Sequence, residues 1–175
     1  MQEYILEIKK LIPQNFCEKI ISYFDKDYDD AGTVSGVNKN IRNCLTRSVL
    51  DTKTFGEKLC SNATKEVIFN CVSQYTKKFN RVQIEKISQL DILKYESNNF
   101  DAGYHFHTDF GYKCTERALS NDFEGGEFVF DLPSGEFCVP QNIGDAIIFP
   151  SNFMFPHQVN KVKKGTRYAL IGWVV

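Results

Sequence analysis

The spacing of apolar residues changes near residue 80 of the chain. Before that point apolar residues recur at helical spacing, and after it they come in short alternating runs separated by turn residues. Beyond Ile12, the positions Phe16, Ile20, Ile21 and Phe24 predict a first helix, with Asn15 as its N-cap and Glu18 three residues on. A longer ladder of Phe55, Leu59, Ala63, Val67, Cys71, Tyr75 and Phe79 predicts a helix from Thr54 to Phe79 whose apolar stripe is core. Between the two, Asp25 to Asp30 and the following Ala31-Gly32 and Ser35-Gly36 read as a surface loop. Ile41 to Val49 reads as a short strand whose Arg42 and Arg47 are solvated, with contact to a substrate as the alternative.

From Ile84 onward the pattern is that of strands. Ile87 to Tyr95, Glu127 to Phe130, Phe137 to Val139 and Ala146 to Phe149 carry apolar and β-branched residues, and a last strand runs through Arg167 to Val175. The intervening Glu96–Gly103, Asp131–Gly135 and Gln141–Asp145 are turns or loops, and Gly125-Gly126 calls for a tight turn with unusual backbone angles. Helices followed by strands predict an α+β fold, with a supporting helical part over residues 1–80 and a β-rich part over residues 84–175. At 175 residues the simplest organisation is one domain spanning 1–175.

Composition narrows the partners. A 42% hydrophobic and 14% aromatic chain is expected to fold, and a net charge of −1 gives no electrostatic footprint for nucleic acid. No run approaches a membrane span, and Met1-Gln2-Glu3-Tyr4 lacks the basic start of a signal peptide, so a soluble cytoplasmic location is expected. The six cysteines include no Cys-x-x-Cys pair, which disfavours zinc and predicts free thiols that fill the core.

The chemistry concentrates in Tyr104-His105-Phe106-His107-Thr108-Asp109-Phe110-Gly111. His107 and Asp109 form the His-x-Asp pairing there, because His105 stands four residues from the carboxylate. In a strand, residues i and i+2 share a face, so this imidazole and carboxylate can converge on one point. His157 on another strand would complete two nitrogens and one oxygen on one side of a metal, the facial arrangement of non-haem Fe(II) oxygenases. Arg167, inside an otherwise apolar strand, needs an anionic partner if buried, and a carboxylate held by two hydrogen bonds would provide one.

His107-x-Asp109, Gly125-Gly126-Glu127-Phe128, Gly144-Asp145-Ala146-Ile147-Ile148-Phe149-Pro150, His157 and Gly165-Thr166-Arg167 together resemble the successive motifs of the 2-oxoglutarate/Fe(II)-dependent dioxygenases, in their prolyl 4-hydroxylase-like branch. The resemblance runs from about Leu90 to the C-terminus. It implies a double-stranded β-helix, or jelly roll, and Fe(II) held by His107, Asp109 and His157. It also implies 2-oxoglutarate as cosubstrate, its distal carboxylate met by Arg167 and Tyr95, O2 as oxidant, and room for ascorbate. The implied activity is hydroxylation of a peptide, protein or small molecule, prolyl residues among them, with release of succinate and CO2. The alternative is a cupin-like metal protein or a non-catalytic binding module on the same barrel. His105 is expected to be a neighbour of the site and not a ligand. In one place the chain departs from the pattern: between Arg117 and Gly125 a strand of about six residues has no room.

Overall fold

The computed structural model describes residues 1–99, 101–109, 113–120, 122–140 and 142–175, with Lys113 to Ala118 described by backbone alone. Phe110, Gly111, Asn121 and Gln141, which the sequence reading included in the histidine stretch and in two junctions, lie outside the described residues. The elements in order are β1 (Leu6–Ile8), α1 (Gln14–Phe24), β2 (Asp29–Asp30), β3 (Leu45–Ser48), α2 (Phe55–Lys78), β4 (Ile87–Glu96), β5 (Tyr104–His107) and β6 (Lys113–Ala118). They continue with β7 (Glu124–Gly125), β8 (Phe128–Leu132), β9 (Gly135–Val139), β10 (Ala146–Pro150), β11 (His157–Val159), β12 (Val162–Lys164) and β13 (Thr166–Val174).

Both helices are where the apolar spacing put them, but two details of that reading are corrected. Asn15 is inside α1 and caps nothing: the N-cap is Pro13, which has extended backbone angles, and no side chain caps that end. The second correction concerns the apolar ladder of α2. Steps of four residues overshoot the helical turn by about 40° each, so such a ladder drifts around the helix. Phe55 and Leu59 accordingly stand 77% and 54% exposed, while the buried face runs Cys60, Thr64, Ile68, Cys71, Val72 and Tyr75. The ladder is fully buried only at Cys71 and Tyr75, with Val67 and Phe79 partly buried against the same core.

The start of α2 is fastened by its polar residues. Thr54 Oγ1 accepts from the Glu57 backbone N–H at 3.1 Å, and the Glu57 carboxylate accepts from the Thr54 and Lys53 N–H groups at 2.9 and 2.6 Å. This is a capping box. Lys26 Nζ sits 2.8 Å from the same buried carboxylate, and with those N–H groups it holds the Glu57 carboxyl down to about 2.

Seven strands form one sheet in the order β1-β10-β6-β13-β4-β3-β2, four form another in the order β5-β11-β8-β9, and β7 pairs with β12. Along β10 the side chains alternate between two clusters. Ala146 and Ile148 join the cluster that includes Ile20, Phe24, Ile68 and Cys71 of the helices, and Ile147 and Phe149 join one that includes Phe128, Phe130 and Val159 of the smaller sheet. The larger sheet is therefore covered by helices on one side and by the smaller sheet on the other. That double burial explains why β10, Ala146-Ile147-Ile148-Phe149, reads as continuously apolar.

The strand that had no room in the sequence pattern is present. Lys113–Ala118 pairs with β10 on one side and β13 on the other, joining Arg117 to Ala146 and Leu170. This strand lies ahead of the short Arg117–Gly125 interval and takes its place between β10 and β13 in the larger sheet. Arg47, expected in solvent, is only 4% exposed and donates to the Ser48 and Asp51 carbonyls at 2.8 Å. Gly125 and Gly126 adopt the expected positive φ, 79° and 68°.

Candidate metal centre

The smaller sheet brings the two distant histidines together. His157 on β11 is directly opposite His107 on β5, and on its other side it pairs with Phe130 of β8. His157 is 2% exposed, with the rings of Phe128, Phe130 and Phe149 centred 5.1, 5.9 and 5.3 Å from its own. Asp109 lies past the end of β5, so its approach depends on the turn at Thr108 and not on strand alternation. Ser151 Oγ fixes it by donating to Oδ2 at 2.9 Å.

The donor atoms of His107, Asp109 and His157 all lie within 4.8 Å of one another. Backbone carbonyls set both imidazole tautomers. His107 Nδ1 is 2.8 Å from the His105 carbonyl and His157 Nδ1 is 2.9 Å from that of Phe155. A carbonyl can only accept, so each Nδ1 carries a proton and each ring turns its Nε2 edge toward the site. Those Nε2 atoms face the Asp109 carboxylate, His107 at 3.9 Å and His157 at 3.6 Å. Burial, and next the neighbouring His157, push the His107 imidazole down to about 3, which keeps it in the neutral form a metal requires. The donor set, its tautomers and its convergence fit a divalent iron.

Behind these residues, a cavity of about 30 Å³ is lined by Arg42, Tyr95, Tyr104, Phe128 and Trp173 along with the three donors. It meets an open groove of about 840 Å³ walled by Gly32 to Arg42, Thr108 and Trp173. Arg167 reaches this region through Tyr95, which pairs with it across β4 and β13 and whose ring centre is 5.1 Å from the guanidinium carbon. Arg167 is 1% exposed and Tyr95 fully buried. A Cβ on Gly126 would stand 2.9 Å from Arg167 Cδ, so the glycine leaves room for the arginine stem. Arg167, Tyr95 and the adjacent cavity thus supply a buried cation and a phenol, groups suited to a small diacid.

The structure brings His107, Asp109 and His157 together, places Tyr95 at the cavity and Arg167 against Tyr95, and His105, not expected as a ligand, touches the site through its backbone. Its ring is exposed and turned to Asp101, 3.9 Å away, and its contribution is the backbone carbonyl that orients His107. The sequence reading missed Ser151, whose only signal was a serine in a loop, and Tyr104. It also missed Cys44, a buried thiol beside Arg42 and Tyr95 that burial pushes up. Arg42 is half-buried at the cavity and not solvated.

Two antiparallel sheets around a shared core, with two imidazoles and a carboxylate meeting at one edge, form the donor arrangement of the mononuclear non-haem iron oxygenases. Residues 90–175 match the profile described as the 2OG-Fe(II) oxygenase superfamily. The chain belongs to that superfamily, on its prolyl-hydroxylase-like side. It is similar to a PKHD-type hydroxylase of Idiomarina loihiensis, 27% identical over 180 residues that cover 97% of this chain and 77% of the relative. A PKHD-type hydroxylase of Crocosphaera subtropica is 40% identical over 52 residues, 30% of this chain and 22% of that one. Among solved structures, a Trichoplax adhaerens prolyl hydroxylase in complex with a hypoxia inducible factor peptide superposes with a TM-score of 0.78 at 14% identity, covering 98% of this chain and 83% of that one. A Pseudomonas putida prolyl-4-hydroxylase gives 0.73 at 18% identity, with 98% and 92% covered. At such identities these likenesses concern the fold.

Proposed function

We propose that the protein is a 2-oxoglutarate-dependent Fe(II) hydroxylase acting on prolyl residues of a peptide or protein, built as one catalytic domain on a jelly roll. The observation that carries this is the meeting of His107, Asp109 and His157 within 4.8 Å, with both imidazoles in the metal-binding tautomer. Fe(II) held there would activate O2, the oxidant, so that one oxygen atom converts a C–H bond to C–OH and the other enters the cosubstrate, which leaves as succinate and CO2.

The chain's own residues hold, orient and exclude water. His107, Asp109 and His157 would hold the ion, three protein donors whose number leaves room for small molecules to bind it. Arg167, supported by Tyr95, binds the distal carboxylate of the cosubstrate, and its burial strengthens that ion pair. Phe128, Phe130 and Phe149 keep the His157 side dry. The substrate enters by the groove beside Trp173, whose wall carries the exposed Val34, Val37 and Ile41, an apolar surface suited to a peptide segment. Buried thiols at Cys17, Cys44 and Cys60 support a reducing, cytoplasmic location, and no helix among the described residues is long and apolar enough to cross a membrane.

The test is aerobic incubation with Fe(II), 2-oxoglutarate and proline-containing peptides, read by succinate release and by a mass gain of one oxygen on the peptide. Succinate above background, increased by a peptide, is the expected result. Tight metal binding with no succinate in the presence of any peptide or small molecule would turn the reading to a metal-binding protein without oxygenase chemistry.

A further inference from the structure

The strand that carries His107 departs from regular geometry in a way that adds a residue to the site. Tyr104 and His107 are three apart on β5, so regular alternation would send them to opposite faces. Their rings nevertheless stack, with centroids 3.5 Å apart and planes 15° from parallel. The register explains this. His157 pairs with His107 and Val159 with Tyr104, so two steps along β11 answer three along β5. The extra residue is a β-bulge, a device that re-aims side chains beside functional sites.

The Tyr104 ring is itself held from the groove. The Arg42 guanidinium carbon lies 4.8 Å from its centre, and Arg42 Nη1 donates to the Gly32 carbonyl at 2.8 Å. Backbone pairing ties the same segment to β5. His105 N–H donates to the Ile41 carbonyl at 2.9 Å, Asn43 and Gly103 exchange bonds at 2.9 and 3.2 Å, and Arg42 bridges to Tyr104. Arg42, Tyr104 and His107 therefore make a continuous stack from the groove wall to the metal donors.

We propose that Tyr104, held by Arg42, is a positioning residue that fixes the plane of the His107 ring and so sets the affinity and geometry of the metal. This rests on His107 being a ligand, as proposed above. The His105 carbonyl fixes the Nδ1 edge of the imidazole but leaves the ring free to rock about that bond, and a ring stacked on its face removes the rocking. Outer partners of this kind commonly change metal affinity by 10- to 100-fold. Because Arg42 and Tyr104 also line the groove, whatever fills the groove touches this stack directly.

The experiment is anaerobic titration of the metal-free protein with Fe(II), followed through Trp173, the chain's single tryptophan, which lines the same cavity. The absorption spectrum of the Co(II)-substituted protein serves as a second readout of coordination geometry. Tyr104→Phe keeps the ring and is expected to bind within about twofold of wild type, whereas Tyr104→Leu should weaken Fe(II) binding about tenfold or more and alter the Co(II) spectrum. Arg42→Met is expected to weaken it several-fold, with less than additive loss in the Arg42→Met/Tyr104→Leu double variant, and it provides the test should Tyr104→Leu not fold by circular dichroism. Wild-type affinity and spectrum in a folded Tyr104→Leu or Arg42→Met, while His107→Ala loses the metal, overturns the stack and leaves the metal centre standing. Unchanged binding in His107→Ala would overturn the metal centre itself.

Discussion

Strands β13 and β5 both deliver functional side chains to the site, and they do so by opposite means. The nine-residue β13 lies inside the larger sheet, hydrogen-bonded to β4 and β6, and its register with β4 is unbroken from Thr166 to Trp173. Arg167, Ile171 and Trp173 follow in even steps on its inner side, while Tyr168 and Leu170 face the helices. By contrast β5 has four residues, one full neighbour in β11 and a single bridge to Arg42 on its other side, and it is bulged. A long paired strand fixes side chains by alternation, so Arg167 is oriented by the sheet as a whole. A short bulged strand fixes them by individual contacts, so His107 needs the His105 carbonyl and the Tyr104 ring.

The strongest way to break this comparison is to remove a donor from the β5–β11 pair. His157→Ala should abolish Fe(II) binding, measured by anaerobic titration, because two remaining donors cannot hold the ion in a facial site. Retained binding at wild-type affinity would mean the ion sits elsewhere. The corresponding change on β13 should leave the metal and remove the diacid. Arg167→Ala is expected to lower 2-oxoglutarate affinity by about thirtyfold or more, the scale of about 2 kcal/mol for truncating one member of a buried charge pair. Fe(II) affinity should stay within about twofold. Calorimetry with both ligands separates the two effects, and an unchanged 2-oxoglutarate affinity would take Arg167 out of its role.

The same contrast decides what could be read from the sequence. Arg167 stood out because β13 is regular: a charge at an inward position of an apolar strand has few explanations. The strands β4, β10 and β13, both helices and the Gly125-Gly126 turn were legible for the same reason, since local periodicity and backbone preference agree with the fold there. The bulge was not legible, because no residue in Tyr104–His107 signals it, and it hid both Tyr104 and the outward turn of His105. Asp109 was assigned correctly on a faulty premise, since it follows the strand's end and Ser151 holds it. The apparently missing strand was sought in the wrong interval: β6 lies ahead of it at Lys113–Ala118, where Lys113, Thr115, Glu116 and Arg117 give no apolar strand signal. On α2, a ladder of exact fours was mistaken for the buried face.

A smaller effect separates the two strands by pH. Folding lowers the His107 pKa from 6.5 to about 3, with burial the first cause. The unfolded chain therefore takes up a proton near pH 6.5, while the folded one resists until much lower pH. The linkage sign follows: this group leaves stability unaffected above pH 6.5, and stability falls as pH drops from there toward 3. Urea midpoints of the metal-free protein should fall more steeply between pH 6.5 and 4 than those of His107→Gln. Parallel curves would mean that His107 is not held in its neutral form.

The smallest expected effect is also on β5, at Phe106. Its ring is 42% exposed, between the two histidines and on neither cluster, so Phe106→Ser should alter stability by no more than about 0.5 kcal/mol. The comparison position on β13 is Leu170, fully buried against the helices, where Leu170→Ala should cost about 2–5 kcal/mol in denaturant unfolding. Fe(II) affinity in Phe106→Ser should remain within about twofold, because the bulge depends on backbone pairing with β11 and on the Tyr104 ring, and Phe106 supplies neither. A large loss of metal in this variant would show that the Phe106 side chain maintains the bulge, and the bulge would then have a sequence signal after all.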